Sequence, residues 1–335
     1  MLLFARLRDL VWNGDTERLR LPWRLLVWLV LLVGLGFLAQ LLIVLVRSPS
    51  AEPLLVLVTP GLSPDRALIA VLNVVFLVLQ LVVMVGSVYV AGRYLDRRQF
   101  RDFGFHVDRE WWIDLGFGLA LGAVLMTGLF LFELLVGWIT IRELVFVARA
   151  ESPFLPWFLW AFVSFVAVGI YEELVFRGYL VTNLAEGLTW FEQVGRATAI
   201  ALAVLVTSVF FGVAHAGNPN ATLASTAGIV VAALMLAGGY VLTGELAIPI
   251  GIHITWNFFQ GPVYGFPVSG TNGGVALVST EQSGPTVLTG GSFGPEAGLI
   301  GLVAAGIGLG LVALWVRWRD GRLRLPTEVT TPERR

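Results

Sequence analysis

Long runs of apolar residues, separated by short polar or arginine-containing stretches, dominate the sequence. A membrane-spanning helix needs about 20 predominantly apolar residues in succession, and such runs recur along the whole chain. The pattern therefore predicts an all-α fold, a polytopic membrane bundle of about eight transmembrane helices. The predicted spans cover roughly residues 23–46, 67–92, 111–138, 156–181, 197–215, 222–242, 246–260 and 296–316.

Arginine residues are unevenly distributed between the connecting segments. They concentrate in the N-terminal tail, the loop 93–110 and the C-terminal tail, whereas the alternate loops contain few. Because cytoplasmic loops carry an excess of Lys and Arg, this asymmetry predicts that both termini are cytoplasmic. The tail around Trp12 is expected to form a short amphipathic helix on the membrane surface. Arginine is the only basic residue besides histidine, which favours a prokaryotic plasma-membrane protein.

The composition excludes several classes of protein. The chain of 335 residues is 57% hydrophobic and 13% charged, with a mean hydropathy of +0.82, whereas a soluble domain is about one-quarter charged. The absence of cysteine removes disulfides, thiolate metal sites and cysteine nucleophiles. A net charge of −1, with no basic stripe, argues against a nucleic-acid partner.

Three formal charges interrupt the fourth apolar run, in the stretch EELVFR. Ionisable groups inside a membrane are costly and are rarely present without a partner or a function. Glu173 and Arg177 are four residues apart and can pair on one helical face. Glu172 points elsewhere and has no partner within the segment, so we interpret it as the reactive carboxylate. The alternative is that all three are solvated charges at a helix end.

Polar residues also occur in two later apolar segments. His215 ends the fifth run, and His253 and Asn257 lie four residues apart in the seventh, on one helical face. A single membrane histidine often does no more than hydrogen-bond a neighbouring helix. Together with Glu172, however, these groups offer a carboxylate, imidazoles and an amide, which can activate water and stabilise an oxyanion.

Three motifs in this order carry a resemblance to a known family. They are Glu-Glu-x-x-x-Arg at 172–177, Phe-x-x-x-His at 211–215 and His-x-x-x-Asn at 253–257. The sequence resembles the CPBP family (CAAX protease and bacteriocin-processing, also called Abi), which includes the type II CAAX prenyl endopeptidases. The resemblance covers roughly residues 155–262; the other apolar runs match by hydropathy alone.

The resemblance implies an intramembrane endopeptidase. Glu172 and His215 would activate the water that attacks the scissile carbonyl, and His253 and Asn257 would stabilise the oxyanion. Glu173 and Arg177 would hold the site in shape. The implied substrate is a peptide or a lipidated protein in the bilayer, either a prenylated protein or a leader peptide.

The cofactor remains open at the level of the sequence. Zinc accepts two histidines and a carboxylate with a water in the fourth place, so Glu172, His215 and His253 are candidate ligands. The chain has no His-Glu-x-x-His motif, and we favour a water activated by glutamate without a metal.

Two functions of other classes compete with the protease. Membrane carboxylates and histidines also form the proton relays of transporters, although the chain shows no half-to-half repeat of the transporter type. A non-catalytic scaffold or immunity protein on the same fold is the other alternative.

These interpretations divide the chain into four parts. Residues 1–22 form a cytoplasmic segment, 23–154 three transmembrane helices with their loops, 155–262 the catalytic core, and 263–335 a Gly-rich loop, the last span and a cytoplasmic tail. The loop 261–295 is expected either to fold back on the bundle or to be flexible. Ideal helices place Glu172 and His215 at opposite depths, so the site requires both to lie closer to the membrane centre.

Overall fold

The structure is a computed structural model that describes residues 9–14, 16–46, 64–148, 152–323 and 325. The chain divides into two compact units, with a boundary between Phe100 and Arg101. The first unit contains two apolar helices, and the second contains the polar motifs.

The first unit consists of a small hairpin and two long helices. Strands β1 (Trp12–Asn13) and β2 (Arg18–Leu19) pair antiparallel. Helix α1 spans Leu21–Val46, and helix α2 spans Pro64–Val90 and continues as a π-helical turn, Ala91–Asp96. Of the segment expected to form an amphipathic helix, residues 9–11 are helical, whereas Trp12 already lies in β1. The Asn-Gly pair that follows Trp12 favours a tight hairpin turn over a helix.

A buried ion pair joins α1 to the end of the π-helical turn. The Arg24 guanidinium pairs with the Asp96 carboxylate, and both side chains are almost fully buried. Arg18 Nη1 also donates to the Asp96 backbone oxygen at 3.0 Å. Most other α1 side chains are apolar and exposed, as expected of a surface that faces lipid.

The second unit is mostly helical. Its helices are α3 (Arg109–Leu135), α4 (Phe154–Glu173), α5 (Thr182–Leu188), α6 (Arg196–Ala214), α7 (Leu223–Thr243), α8 (Ala247–Phe258), α9 (Thr286–Thr289) and α10 (Leu299–Asp320). π-Helical segments at Leu174–Val181 and Phe259–Val263 continue α4 and α8, and short 3₁₀ turns cover Phe100–Phe103 and Pro295–Ala297.

Seven helices in the described part of the chain are long and apolar enough to cross a membrane. This confirms the polytopic helical bundle. The seventh predicted span, residues 246–260, is the exception, because α8 has 12 residues and its π-helical continuation has 5, fewer than the about 20 that cross the hydrocarbon core. Residues 247–256 of α8 are all buried, so the apolar sequence serves contacts with protein rather than with lipid.

Glycines allow α8 to approach α3 closely. A β-carbon on Gly118 would collide with the Ile248 backbone oxygen, and one on Gly122 would collide with Thr255 Oγ1. Gly251 of α8 faces the α3 backbone in the same way. The Gly118-x-x-x-Gly122 pattern therefore marks a close helix contact, as small residues do in membranes. Its counterpart in α10, at residues 306 and 310, faces open space among the described residues.

Two segments that connect helices pair as a two-stranded antiparallel sheet. Strand β3 (Ile139–Val147) pairs with β4 (Val275–Gln282), with a register shift between Ile141 and Glu143. β4 belongs to the Gly-rich loop 261–295, so this loop folds back rather than remaining irregular. The prediction of helices alone missed both strands, because their pairing connects residues distant in sequence.

Candidate active site

The first motif lies well inside a long helical segment. Helix α4, its π-helical continuation and α5 together form one run of 35 residues, Phe154–Leu188. Glu172 and Glu173 lie where the α-helix passes into the π-helix. π-Helical turns in helices are frequent at functional sites. The continuation beyond Gly178 places both glutamates near the middle of the segment instead of at its end.

The two charges expected to pair do form an ion pair. Arg177 Nη1 lies 3.0 Å from Glu173 Oε1, and both side chains are buried. Arg177 Nη2 donates to the Ala233 backbone oxygen at 3.2 Å, and the guanidinium carbon lies 4.5 Å from the centre of the Phe211 ring. The pair thus connects the π-helical continuation of α4 to α6 and α7.

His253 lies between the two glutamates. Its Nδ1 is 2.7 Å from Glu173 Oε1, and its Nε2 is 3.8 Å from Glu172 Oε2. An Nδ1–H that donates to Glu173 leaves Nε2 directed towards Glu172. Sequence reasoning assigned Glu173 to Arg177 alone and missed its contact with His253, because that contact joins residues 80 positions apart.

The Phe-x-x-x-His motif orients its own histidine. His215 follows the last residue of α6, and its Nδ1 lies 2.8 Å from the Phe211 backbone oxygen. The ring of Phe211 also contacts His215, at 4.6 Å between ring centres, and lies 6.2 Å from His253. One aromatic side chain therefore packs against both histidines and against Arg177, and His215 Nε2 is left for other partners.

One cavity of about 160 Å³ connects the three motifs. Its lining includes all four residues predicted as catalytic, which are Glu172, His215, His253 and Asn257. A water needs roughly 10–15 Å³ of such space and two to four polar partners, and this cavity offers both. The third histidine of the chain, His106, contacts Glu245 at 2.5 Å instead and is not part of the lining.

The segment that carries these motifs matches a known protein family. Residues 154–259 match the family described as "Type II CAAX prenyl endopeptidase Rce1-like". The suspected family is confirmed over this segment. Neither a curated protein nor a solved structure matches the chain. All six residues singled out from the sequence lie within the Rce1-like segment.

Four further polar residues line the same cavity, and three of them lie beyond the Rce1-like segment. Asn218 follows His215 in the loop after α6, Ser269 and Thr271 come from the Gly-rich loop, and Glu296 lies in the 3₁₀ turn Pro295–Ala297. Glu296 is 4% exposed, and both of its carboxylate oxygens accept hydrogen bonds. Sequence reasoning missed all four. The one available signal was a lone carboxylate, Pro-Glu-Ala, at the start of the last predicted span.

Burial changes the acidity of this additional carboxylate. Burial raises the pKa of Glu296 from 4.5 to about 7, against hydrogen bonds from Ser269 and Gln260 that lower it. The folded protein therefore keeps a proton that the unfolded chain releases between pH 4.5 and about 7. Stability from this group is largest at low pH and is lost as the pH rises through that window.

We expect the thermal unfolding temperature of the purified protein to fall as the pH is raised from about 5 to about 8. The contribution of Glu296 to this change is at most about 3 kcal/mol, at 1.36 kcal/mol per pKa unit. Glu296→Gln, which cannot titrate, should flatten the pH dependence. Unfolding curves recorded in one detergent across the range measure the effect, and equal slopes in both proteins would contradict it.

The residues of the Rce1-like segment do not fit a metal in this arrangement. Among the residues that the structure describes, no three His, Asp or Glu side chains converge on a common metal position. Because His253 Nδ1 contacts Glu173 and His215 Nδ1 contacts a backbone oxygen, only the two Nε2 atoms remain as possible ligands. Glu172, His215 and His253, the zinc set suggested by the sequence, are not brought together at one metal position among the described residues, and no proposed step passes through a metal.

Proposed function

We propose that the chain is a membrane-embedded endopeptidase that hydrolyses a peptide bond with a water activated by Glu172 and His215. The observation that carries the proposal is the shared cavity, in which these two residues meet His253 and Asn257. The match of residues 154–259 to a family of endopeptidases supports the same reaction class. Glu172 retains some exposure, which lets it contact water in the cavity.

The proposed reaction begins with a proton transfer. Glu172 accepts a proton from the cavity water, assisted by His215, while the water oxygen forms a bond to the scissile carbonyl carbon. His253 and the Asn257 amide donate hydrogen bonds to the resulting oxyanion. The tetrahedral intermediate then collapses, the C–N bond breaks, and the proton held by Glu172 passes to the departing amine.

Glu173 and Arg177 support this chemistry without touching the substrate. Glu173 accepts from His253 Nδ1, so it fixes the orientation of the imidazole. Arg177 offsets the charge of Glu173 inside the bundle. Donation to the oxyanion requires a proton on His253 Nε2 as well, and the arrangement keeps the two glutamates in different roles.

The environment and substrate follow from the same reasoning. The seven long apolar helices indicate a multi-pass membrane protein, and the family description implies a peptide substrate. We propose a prokaryotic plasma membrane with both termini cytoplasmic, which requires the α8 region to act as a crossing in spite of its length. The substrate class is a peptide or a lipidated protein, with no nucleic acid and no metal cofactor.

The proposal is tested with the purified full chain in lipid nanodiscs. We expect a synthetic peptide, supplied with and without a prenyl group, to be cut at one internal bond. Addition of a chelator should change the rate by less than about twofold, because Glu172 rather than a metal activates the water. Mass spectrometry of the products measures both. A lack of cleavage of either peptide contradicts the protease, and loss of cleavage on chelation that added zinc restores contradicts the metal-free mechanism.

A further inference from the structure

A tight turn of the Gly-rich loop forms one wall of the cavity. Val268, Ser269 and Thr271 all belong to the lining. Val268 N donates to Thr271 O at 2.8 Å and Thr271 N donates back at 2.9 Å, while Ser269 and Gly270 have φ values of 46° and 81°. Two successive left-handed residues define a type I′ turn. We call residues 267–271 the wall turn.

The loop after His215 holds the wall turn on one side. Asn218 Nδ2 donates to Ser269 O at 3.0 Å, and Asn220 Nδ2 donates to Gly270 O at 3.3 Å. Gly270 lies so close to the Pro219 backbone oxygen that a β-carbon would not fit. The wall turn is thus in contact with the segment that carries the His215 imidazole.

Glu296 holds the wall turn on the other side. Its Oε1 accepts from Ser269 N at 2.5 Å and from Ser269 Oγ at 3.3 Å. Its Oε2 accepts from Gln260 Nε2, which also donates to Pro267 O at 2.5 Å. The turn that bears Glu296 packs against Gly228 of α7 without room for a β-carbon. The Glu296 carboxylate thus accepts hydrogen bonds from Ser269 and Gln260, and Gln260 also donates one to the wall turn.

Gln260 links this cluster to the helix of the candidate oxyanion site. His253, Asn257 and Gln260 are spaced by four and three residues, so they share one face of α8 and its π-helical continuation. Gln260 is fully buried. Through it, Glu296 contacts the helix of His253, and through Ser269 and Asn218 it contacts the loop of His215.

We propose that Glu296 is a positioning residue that clamps the wall turn between the His215 loop and the His253 helix. The clamp fixes the distance between the two halves of the site and closes the cavity beside them. Its effect on catalysis rests on the proposed function, whereas its effect on the wall turn does not. The two are therefore tested by separate measurements.

The wall turn is tested by thiol labelling. The chain has no cysteine, so Val268→Cys introduces a single thiol at a position that is 8% exposed. In the full chain in nanodiscs, Val268→Cys should react slowly with a maleimide. Adding Glu296→Ala should accelerate labelling by about tenfold or more, because the released turn opens locally.

Glu133 provides the matched control. It is another fully buried carboxylate that accepts from a glutamine, Gln282, at 3.1 Å, but it does not line the cavity. Glu133→Ala in the Val268→Cys background should leave labelling within about twofold, because it perturbs a different cluster. An equal acceleration by both alanine variants would show general loosening and overturn the clamp, as would no acceleration by Glu296→Ala.

An exchange of side chains keeps the test decisive if Glu296→Ala folds poorly. Glu296→Gln retains an oxygen that can accept from Ser269. Its amide nitrogen, however, is a donor that faces another donor, Gln260 Nε2. Combining Glu296→Gln with Gln260→Glu restores a donor opposite an acceptor but removes the Gln260 hydrogen bond to Pro267 O. We expect Glu296→Gln to accelerate labelling and the double variant to reverse part of that acceleration; no acceleration by Glu296→Gln overturns the clamp.

Peptide cleavage supplies the functional readout. Glu296→Gln should lower kcat by about tenfold with a smaller change in unfolding temperature, and the double variant with Gln260→Glu should recover part of kcat. An unchanged kcat would overturn the positioning role even where labelling accelerates. If the wild-type chain cuts no peptide but labelling behaves as expected, the clamp stands and the protease assignment fails.

Discussion

Replacing Glu172 with glutamine is expected to lower kcat for peptide cleavage by about 10²–10⁴-fold, the usual contribution of a general base. The amide has nearly the same shape as the carboxylate but cannot accept a proton from water. Glu172 contacts its neighbours less closely than Glu173 does, at 3.8 Å from His253 Nε2, so the fold should be retained. Initial rates at saturating peptide, together with unfolding temperature, measure the two effects.

The chain contains a suitable control for this substitution. Glu245 is also paired with a histidine, His106, but the pair lies outside the cavity. Glu245→Gln should leave kcat within about twofold, because it removes a carboxylate that contacts no reacting atom. Full activity in Glu172→Gln, or an equal loss in both variants, would refute the assignment of Glu172 as the base.

Replacing Arg177 with methionine is expected to have the largest effect on stability. The guanidinium is 2% exposed, and its removal leaves the Glu173 carboxylate buried without a cation from its own helix. Breaking a buried ion pair from one side costs about 3–5 kcal/mol. Reversible unfolding of the purified protein, by denaturant or by heat in one detergent, measures the loss.

A second variant separates the charge from the packing of Arg177. Glu173→Gln combined with Arg177→Met removes both charges and should recover part of the stability. An exposed pair, Arg142 with Glu281 across the β3–β4 sheet, is the control. Arg142→Met should cost no more than about 1 kcal/mol, as surface ion pairs do. A similar cost at both arginines would contradict the structural role of the buried pair.

The sequence was informative wherever the relevant contact is local. The Glu173–Arg177 pair was predicted from a spacing of four residues on a helix. Gly118 and Gly122 have the same spacing and mark a close contact, whereas residues 306 and 310 have it and do not. The apolar runs correctly predicted the polytopic bundle, because the bilayer fixes how long a spanning helix must be.

Contacts between distant segments were beyond the reach of the sequence. No periodicity pairs β3 with β4, and none brings Glu296 to Ser269 across 27 positions. The seventh apolar run was interpreted as a span because burial in protein and burial in lipid select the same residue types. Glu173 was assigned one partner because helical spacing reveals neighbours on its own helix and not the histidine of another.

The short, buried helix α8 affects how activity depends on the rest of the molecule. It carries His253 and Asn257, and its residues 247–256 are all buried in protein. Its position is set by the backbones it touches, above all at Gly118 and Gly122 of α3. Residues with no chemistry of their own therefore determine the geometry of the reacting groups. The packing of α3 against α8 therefore sets the positions of His253 and Asn257.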